Sequence, residues 1–335
     1  MRIITLEEHF ADPAIASASA KTTLELSPGF AAAYAADSGL PYSPSPEILM
    51  DIGAARVADM DRAGITMQVL SCLAQFLPAD VAEGLTRAAN DRAAAAMRNF
   101  PGRFSAFAAL PTAVPEIAGD ELRRCVSELG FVGTMIMGRT DGEFLDQPRF
   151  DPILRAASDL GVPIYLHPTP PPRATSAENY DGLALPVTTR LQTAAWGWHQ
   201  ETAVHFLHLA FAGVLDRFPD LQFILGHWGE MIPFYLDRID EALPQSATGL
   251  NRTFRDYFLG NVFITPSGMF SQAQLRYCID TVGVDRILYA VDYPFIGNEG
   301  AVAFLQDAPI SDEDKEKIAH RNTERLLGLD CATAS

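Results

Sequence analysis

The chain has 335 residues, 48% of them hydrophobic, and a formal net charge of −17 at pH 7. This acidic balance argues against a nucleic-acid or anionic-membrane partner, because phosphate groups are bound by clustered lysine and arginine side chains. No apolar stretch reaches roughly 18 residues, the length that suggests a membrane span, and no secretory leader pattern is present. We therefore predict a cytoplasmic protein with neither kind of partner.

The four cysteines are far apart and form no pattern typical of a zinc site or a redox pair. They are Cys72, Cys125, Cys278 and Cys331. We predict that they are reduced thiols.

Short apolar segments rich in β-branched residues alternate with longer helical patterns along the whole chain, which is typical of βα units around a parallel sheet. No change of composition marks a linker, so one barrel is favoured over a doubly wound sheet with two domains. We predict an α/β fold, a single (β/α)8 TIM barrel over residues 1–335 with a flexible tail from about residue 329. The eight strand candidates are residues 3–7, 66–71, 104–110, 131–137, 163–167, 222–227, 261–265 and 286–292.

Helical patterns lie between these strands, for example at residues 48–64, 81–100 and 115–130, and each ends at or near a glycine or proline. The last pattern opens with Ser311, and Asp314 follows three residues later. This spacing predicts an N-capped helix near the end of the chain.

Two connections are too long for simple turns. Residues 10–47 carry little regular signal, and residues 168–198 open with a proline-rich run. Loops of this length are usually lids or binding loops, and in a barrel both would lie over the mouth formed by the carboxyl ends of the strands. Trp196 and Trp198, in the second connection, would line a pocket or fasten the lid.

Acidic and imidazole groups follow the predicted strands. Because side chains alternate along a strand, Glu7 and His9 are expected on one face and Glu8 on the other. A lone histidine is more often structural, and an Asp after a strand often caps a turn. Their joint placement nevertheless predicts a site for one divalent metal ion, Zn²⁺ or Mn²⁺, since all the strand ends of a barrel converge. The candidate groups are Glu7, His9, His167, His227 and Asp292.

The sixth strand ends in GHWGE, where Gly226 and Gly229 allow a tight turn around His227. His227 is a candidate acid/base group, and Glu230 could orient its imidazole. The alternative is that Glu230 is an ordinary first-turn acid of the next helix.

Three further histidines lie in a helical pattern after the second long connection. We expect His199, His205 and His208 to pack or form hydrogen bonds rather than bind metal.

Several motifs together resemble one known family, over residue 1 to about residue 328. They include LEEHF at 6–10, YLHP at 165–168, ILGHWGE at 224–230, YLDRID at 235–240 and RILYAVDYPF at 286–295. The chain resembles the amidohydrolase-related, metal-dependent decarboxylases, in particular γ-resorcylate and 2,3-dihydroxybenzoate decarboxylases and their relative aminocarboxymuconate semialdehyde decarboxylase.

This resemblance implies a (β/α)8 barrel with one divalent metal ion per subunit, and proton transfer by His227 beside it. It also implies a homodimer or homotetramer, in which Arg238 reaches the pocket of a neighbouring subunit. The implied metal ligands are Glu7, His9, His167 and Asp292. The expected substrate contacts are Phe30, Trp198, Phe295 and Arg238.

The expected activity is that of a carboxy-lyase, a nonoxidative decarboxylase of a hydroxylated aromatic or related enolisable carboxylic acid. The ring carbon must be protonated before CO₂ leaves, and we expect Asp292 to donate that proton, with His227 and Glu230 beside it. The alternative is a metal-dependent hydrolase or hydratase acting on a lactone, amide or unsaturated acid. A non-catalytic binding barrel is the third hypothesis.

The chain departs from the family pattern in three places, which leave the identity of the small aromatic acid substrate open. Met137 stands where the relatives have an amide, Thr169 and prolines replace an Arg-Asn pair, and the loop at 17–47 is longer.

Overall fold

The computed structural model describes residues 1–35, 37 and 43–329. Seven β-strands are regular in these residues, and each coincides with one of the predicted strands. Their bounds are β1 (Ile4–Phe10), β2 (Met67–Cys72), β3 (Phe104–Ala106), β4 (Thr134–Met137), β5 (Ile164–His167), β6 (Phe223–Leu225) and β7 (Val262–Ile264).

The strands form two parallel sheets, β1-β2-β3 and β4-β5-β6-β7. A parallel bridge between Ala108 and Thr134 joins the sheets on one side. On the other side, residues 287–290 lie between β7 and β1, bridging Ile264 to Ile287 and Leu6 to Ala290. The eight segments therefore form a closed ring, and the predicted barrel fold is confirmed. The eighth predicted strand, residues 286–292, is present only as these bridges and not as a regular strand.

Helices surround this ring, and 3₁₀ turns lie at Pro148–Phe150 and Val284–Arg286. The predicted helix at 48–64 is broken into two, and the last predicted helix contains a π-helical segment at Lys317–Arg321. The helices are α1 (Pro13–Leu26), α2 (Phe30–Ala33), α3 (Pro46–Met50), α4 (Ala54–Ala63), α5 (Ala79–Asn99), α6 (Pro115–Leu129), α7 (Asp151–Leu160), α8 (Arg173–Tyr180), α9 (Leu185–Gln192), α10 (Gly197–Phe211), α11 (Val214–Arg217), α12 (Gly226–Glu230), α13 (Ile232–Ala242), α14 (Gln245–Thr248), α15 (Phe254–Asn261), α16 (Gln272–Val282), α17 (Ala301–Gln306), α18 (Asp312–Glu316) and α19 (Asn322–Leu327).

The first long connection is more regular than predicted. Asp12 caps α1 by accepting the backbone N–H groups of Ala14 and Ile15, and Pro13 occupies the first helical turn. An acceptor side chain followed by proline is a helix-start signal, and it was present in the sequence. The second long connection contains α8 and α9, and Gln192 of α9 donates a hydrogen bond of 2.5 Å to the Leu26 carbonyl of α1. The two connections therefore pack on each other.

The core has an inner layer inside the ring and an outer layer between the ring and the helices. In β5, Ile164 and Leu166 belong to the outer layer and Tyr165 to the inner one. Because side chains alternate, His167 at the end of β5 points inward like Tyr165. The same alternation in the eighth segment, with Leu288 and Ala290 inside, directs Asp292 inward.

In the part of the chain that the structure describes, no helix combines the length and apolar character needed to cross a bilayer. Cys72, Cys125 and Cys278 are unpaired and buried. Cys331 and the predicted flexible tail beyond Leu329 lie outside the described residues.

Candidate active site

The four predicted metal ligands meet at the carboxyl-end mouth of the barrel. One potential ligand atom from each of four side chains lies within 4.8 Å of the others. Glu7 and His9 are fully buried, while the side chains of His167 and Asp292 are 13% and 17% exposed. The cluster is therefore closed toward the barrel interior and accessible only from the mouth. The four side chains, here called the ligand cluster, are Glu7, His9, His167 and Asp292.

A β-bulge in β1 places Glu7 and His9 in this cluster. The pairing of β1 with β2 shifts between Thr5 and Glu8, and Glu7 has a φ of 62°. Leu6 packs inside the barrel, so in a regular strand Glu7 would point outward. The extra residue turns Glu7 and His9 to the inside. The prediction that Glu7 and His9 share a face is correct, but regular alternation would have put that face on the wrong side of the barrel wall.

Glu8 points away from the ligand cluster, as predicted. It accepts a hydrogen bond of 3.0 Å from the backbone N–H of Val291, the residue before Asp292. Behind the same wall, the buried Arg56 donates to the His9 carbonyl at 2.7 Å and to the Gln68 side chain at 2.7 Å. These outward-facing contacts hold the backbone of two segments that carry the ligand cluster.

The donor atoms of the cluster fit a divalent cation. Glu7 Oε2 accepts hydrogen bonds from Tyr165 and Ser267, whereas Oε1 is buried and has no hydrogen-bond partner among the described residues. His9 Nδ1 is 2.9 Å from Ser71 Oγ, which leaves Nε2 directed at the cluster, 3.1 Å from Asp292 Oδ1. Glu7 Oε1 and His9 Nε2 are therefore free to bind an ion, and a carboxylate oxygen and an imidazole nitrogen are ligands that Zn²⁺ and Mn²⁺ accept.

Protonation in the ligand cluster reflects burial and neighbouring charge. Burial raises the pKa of Glu7 to about 8, and the nearby Asp292 carboxylate adds to this. Burial and the neighbouring His9 hold the pKa of His167 well below its usual value. Burial would also raise the pKa of Asp292, but His227 and His9 outweigh it and hold that pKa at about 2. A bound cation would favour the ionised carboxylates and the neutral imidazoles.

A second cluster, of two imidazoles and one carboxylate, lies beside the first. Glu230 is fully buried, and its Oε1 is 2.8 Å from His227 Nδ1 while its Oε2 is 2.8 Å from His199 Nδ1. The other ring nitrogen of His227 is 3.9 Å from Asp292 Oδ2. His227 thus lies between an orienting carboxylate and the ligand cluster. Its predicted placement and its pairing with Glu230 are both present in the structure.

The charges in this second cluster favour a protonated His227. Burial would lower its pKa, but the carboxylates of Glu230 and Glu7 hold the pKa well above its usual value. Burial would raise the pKa of Glu230, but His227 and His199 outweigh it and lower that pKa. The resting proton is therefore on the imidazole and not on the carboxyl group of Asp292.

The short segment α12, which carries His227, is a left-handed turn and not a regular helix. Residues 227–231 all have positive φ values, from 47° to 78°. Each non-glycine residue in this conformation costs roughly 1–2 kcal/mol, so neighbouring contacts must hold the turn in place. Trp228 supplies two of them, donating its backbone N–H to the Thr265 carbonyl at 2.7 Å and its indole N–H to the Met269 carbonyl at 2.8 Å.

The two predicted turn glycines have different roles. Gly229 has the left-handed conformation, with a φ of 78°. Gly226 instead allows a close approach, because a Cβ there would lie 3.1 Å from Glu7 Oε2. The next helix begins at Ile232, so the alternative that Glu230 is a first-turn acid of that helix is wrong.

The predicted substrate contacts lie at different distances from the clusters. The Phe295 ring is 5.7 Å from the His9 ring, and the Trp198 indole N–H donates to His199 Nε2 at 3.1 Å. Phe30 stacks on Tyr34 in the first long connection. Arg238 is 71% exposed on the outer face of α13 and pairs with Glu241. Within one chain, Phe295 and Trp198 therefore lie beside the two clusters, and the roles of all four residues as substrate contacts stay predictions.

Sequence reasoning expected His199 to pack or form hydrogen bonds but did not place it at the site. It lies at the start of α10, and its ring is 4.3 Å from the His227 ring. No local pattern could have indicated this contact, since it depends on how α10 packs against the turn after β6. His205 does behave as predicted, accepting the Leu145 backbone N–H at 2.9 Å.

Comparisons with known proteins agree with this geometry. The family model described as Amidohydrolase matches residues 45–329. A decarboxylase named orsB from Emericella nidulans is 38% identical, covering 97% of this chain and 96% of its own length. A gamma-resorcylate decarboxylase from Rhizobium sp. is 37% identical, covering 98% of this chain and 99% of its own.

A solved structure extends the comparison to three dimensions. It is a dihydroxybenzoic acid decarboxylase from Polaromonas sp. with bound manganese and the inhibitor 2-nitroresorcinol. It is 35% identical, has a TM-score of 0.85, and the match covers 98% of this chain and 97% of that one. The agreement extends over nearly the whole of both chains. On the strength of its sequence match and its barrel, the chain belongs to the amidohydrolase family.

Proposed function

We propose that the chain is a metal-dependent, nonoxidative decarboxylase of a hydroxylated aromatic carboxylic acid. The observation that carries this proposal is the meeting of four potential ligand atoms within 4.8 Å, directly beside the paired His227 and Glu230. The relatives named as decarboxylases, which match over nearly their full length, support it.

The ligand cluster is the proposed site of one divalent ion, Zn²⁺ or Mn²⁺. When bound, the ion supplies a positive centre that orients the substrate oxygens and stabilises the negative charge that develops on them. The bound manganese of the Polaromonas enzyme supports this assignment. Ser71 and Tyr165 orient two of the ligands through their hydrogen bonds to His9 and Glu7.

The proton passes between His227 and Asp292. We assign His227, 3.9 Å from Asp292, as the group that delivers its proton to Asp292, and Asp292 as the group that passes this proton to the ring carbon bearing the carboxylate. The carbon–carbon bond between the ring and the carboxylate then breaks and CO₂ leaves. The electron pair of the broken bond restores the aromatic ring. Glu230 holds the imidazole of His227 in the orientation that this transfer needs.

The test is to incubate the metal-loaded protein with a panel of hydroxybenzoates and to follow CO₂ release and its reverse in concentrated bicarbonate. Asp292→Asn should lower the rate by roughly 10²-fold to 10⁴-fold or more, since it removes the proton donor. Bound metal is measured in the same samples, because Asp292 is also a proposed ligand. Asp120→Asn, at an exposed position of α6, is the matched control.

Near-normal turnover by Asp292→Asn would reject the assignment of the proton donor. Silence across the panel, with hydrolysis of a lactone or amide or hydration of an unsaturated acid instead, would favour the alternative activity.

The assembly and location of the chain are further parts of the proposal. We expect a homodimer or homotetramer, in which Arg238 on the exposed face of α13 contacts the substrate of a neighbouring subunit. The unpaired state of the three described cysteines supports a cytoplasmic location.

A further inference from the structure

A cavity of about 420 Å³ opens at the mouth of the barrel, over the carboxyl ends of β2, β3 and β4. Both long connections contribute to it, through Leu26 of α1 and Thr169 after β5. Its lining also includes Ala74, Leu110 and Met137, and it contains none of the ligand cluster. This volume is therefore additional to the space around the proposed metal site. We call it the β3-side cavity.

The β3-side cavity adjoins the ligand cluster. Met137, in its lining, pairs in register with His167. Gly138 donates its backbone N–H to the His167 carbonyl at 3.2 Å. On the other side, Cys72 of the lining follows Ser71, which contacts His9. The wall of the cavity and the ligand cluster are thus adjacent along β2 and across the β4–β5 pair.

The position of the cavity around the ring indicates which edge of a substrate faces it. His227 and Asp292 lie after β6 and after the eighth segment, on the β7 side of the mouth. In an eight-membered ring, the β3 side is opposite to the β7 side. A ring whose carboxylate-bearing carbon faces His227 and Asp292 therefore directs its opposite edge into the β3-side cavity.

The lining carries no uncompensated charge. The Arg139 guanidinium forms an ion pair with Glu201 and lies 3.7 Å from the centre of the Phe144 ring. Asp141 is paired with Arg149 at 3.0 Å. An anionic group in this cavity would gain little from Arg139, because Glu201 already neutralises that charge. An apolar group would gain contacts with leucine, methionine and alanine side chains.

We propose that the β3-side cavity binds an uncharged alkyl or aryl substituent on the ring edge remote from the carboxylate. The preferred substrate is then a substituted hydroxybenzoic acid rather than an unsubstituted one. This inference rests on the proposed function, but binding can test it without turnover.

The experiment uses the metal-loaded protein and three phenols that resemble possible products. Titration calorimetry should show that 5-propylresorcinol binds roughly tenfold or more tightly than resorcinol, because its three added carbons leave water. 3,5-Dihydroxybenzoate, with a carboxylate at the same position, should gain nothing. Equal affinities for resorcinol and 5-propylresorcinol would overturn the inference, as would tighter binding of the carboxylate that Ala74→Phe abolishes.

A variant that fills the cavity completes the test. Ala74→Phe should remove the advantage of the propyl group and leave the affinity for resorcinol within about threefold. Ala303→Phe adds the same side chain at an exposed position of α17 and should retain the advantage. An unchanged preference in Ala74→Phe would overturn the assignment of the cavity. If Ala74→Phe does not fold, the comparison of phenols with the unaltered protein still decides.

The effect of the propyl group can also be tested on turnover, with the carboxylic acids that correspond to the two phenols. 4-Propyl-2,6-dihydroxybenzoate should have a kcat/KM roughly tenfold or more above that of 2,6-dihydroxybenzoate. Absence of turnover with every acid, combined with the expected phenol affinities, would reject the proposed function and retain the cavity. Turnover of both acids at equal efficiency, with equal phenol affinities, would retain the proposed function and reject the role of the cavity.

Discussion

Glu230 is the residue on which the orientation of His227 depends. Its two oxygens contact two imidazoles, and it forms no hydrogen bond or ion pair with the four residues of the ligand cluster. Glu230→Gln replaces a carboxylate that holds a protonated imidazole by a neutral amide, so kcat should fall by roughly 10-fold to 100-fold. Steady-state kinetics and the bound-metal content of the same preparation check this.

Metal content should be unchanged in Glu230→Gln. Glu83→Gln, at an exposed position of α5, should match the unaltered protein in both measurements. Full activity in Glu230→Gln would contradict the orienting role, and loss of metal would show that Glu230 belongs to the metal site instead.

His205 gives a pH dependence of stability that is separate from the active site. Burial, together with Arg139 and His208, lowers its pKa to about 3, whereas in the unfolded chain it is about 6.5. The unfolded state therefore binds the extra proton. The stability that the neutral His205 contributes is fully present above pH 6.5 and is lost as the pH falls toward 3. By pH 5 this accounts for roughly 2 kcal/mol of the free energy of unfolding.

His205→Gln keeps an acceptor for the Leu145 N–H but cannot be protonated. Urea unfolding should show that, between pH 7.5 and pH 5, the free energy of unfolding of this variant falls by about 2 kcal/mol less than that of the unaltered protein. His208→Gln, at a side chain 48% exposed, should lose only slightly less than the unaltered protein does, because His208 is the smallest of the three causes that lower the pKa of His205. Parallel losses in all three proteins would contradict the buried neutral state of His205.

At the scale of single elements, the sequence predicted where strands end better than how the backbone turns there. Alternation in β5 was enough to direct His167 inward, because that strand is regular. The bulge in β1 and the left-handed turn after β6 were not predictable, since they depend on contacts with distant strands. Trp228, for example, is held by the carbonyl of Thr265. The two glycines in GHWGE indicated a turn but not its hand.

Gly229 tests how much the left-handed turn depends on glycine. A Cβ there would lie 2.9 Å from Ile264 Cγ2 and 3.0 Å from Pro233 Cδ, on a backbone with a φ of 78°. Gly229→Ala should lower the free energy of unfolding by roughly 1–3 kcal/mol, and it should reduce kcat through displacement of His227. Chemical unfolding and kinetics of the purified variant measure both.

Gly84 is the matched control for Gly229. It lies inside α5, and a Cβ there would meet nothing within 4 Å. Gly84→Ala should stabilise the protein by roughly 0.5–1 kcal/mol, because alanine loses less backbone entropy in a helix. A Gly229→Ala variant as stable and active as the unaltered protein would show that the turn does not need glycine.

For the whole molecule, the barrel was predictable because eight apolar segments alternate with helical patterns in one chain. Closure of the ring was not visible in the sequence, since it depends on single bridges such as Leu6 to Ala290. The metal-ligand prediction is consistent with the structure for the same reason that the fold was predictable. Strand ends in a barrel converge wherever they occur in the sequence.

The outer surface carries an exposed aromatic patch, consisting of Phe234 and Tyr235 of α13 and Tyr277 of α16. Phe234 is 72% exposed, and its ring centre is 5.8 Å from that of Tyr277. Exposed aromatic patches are typical of interfaces, and Arg238 lies on the same helix. We expect subunits to associate through this patch, so that Phe234→Glu gives a smaller species by light scattering.

Val81→Glu places the same charge at an exposed apolar position of α5 and should leave the assembly unchanged. A Phe234→Glu variant with the mass of the unaltered oligomer would exclude this patch as the interface. A monomeric unaltered protein would exclude the oligomer itself.

The bulge in β1 has a consequence for how inactive variants are interpreted. It lets two adjacent carboxylates serve opposite sides of one strand, with Glu7 facing the reaction centre and Glu8 facing the Arg56 network behind it. Damage behind the strand would disorder the backbone of His9 without touching any reactant. Loss of activity on changing Arg56 would therefore resemble an active-site defect while reporting only on the scaffold.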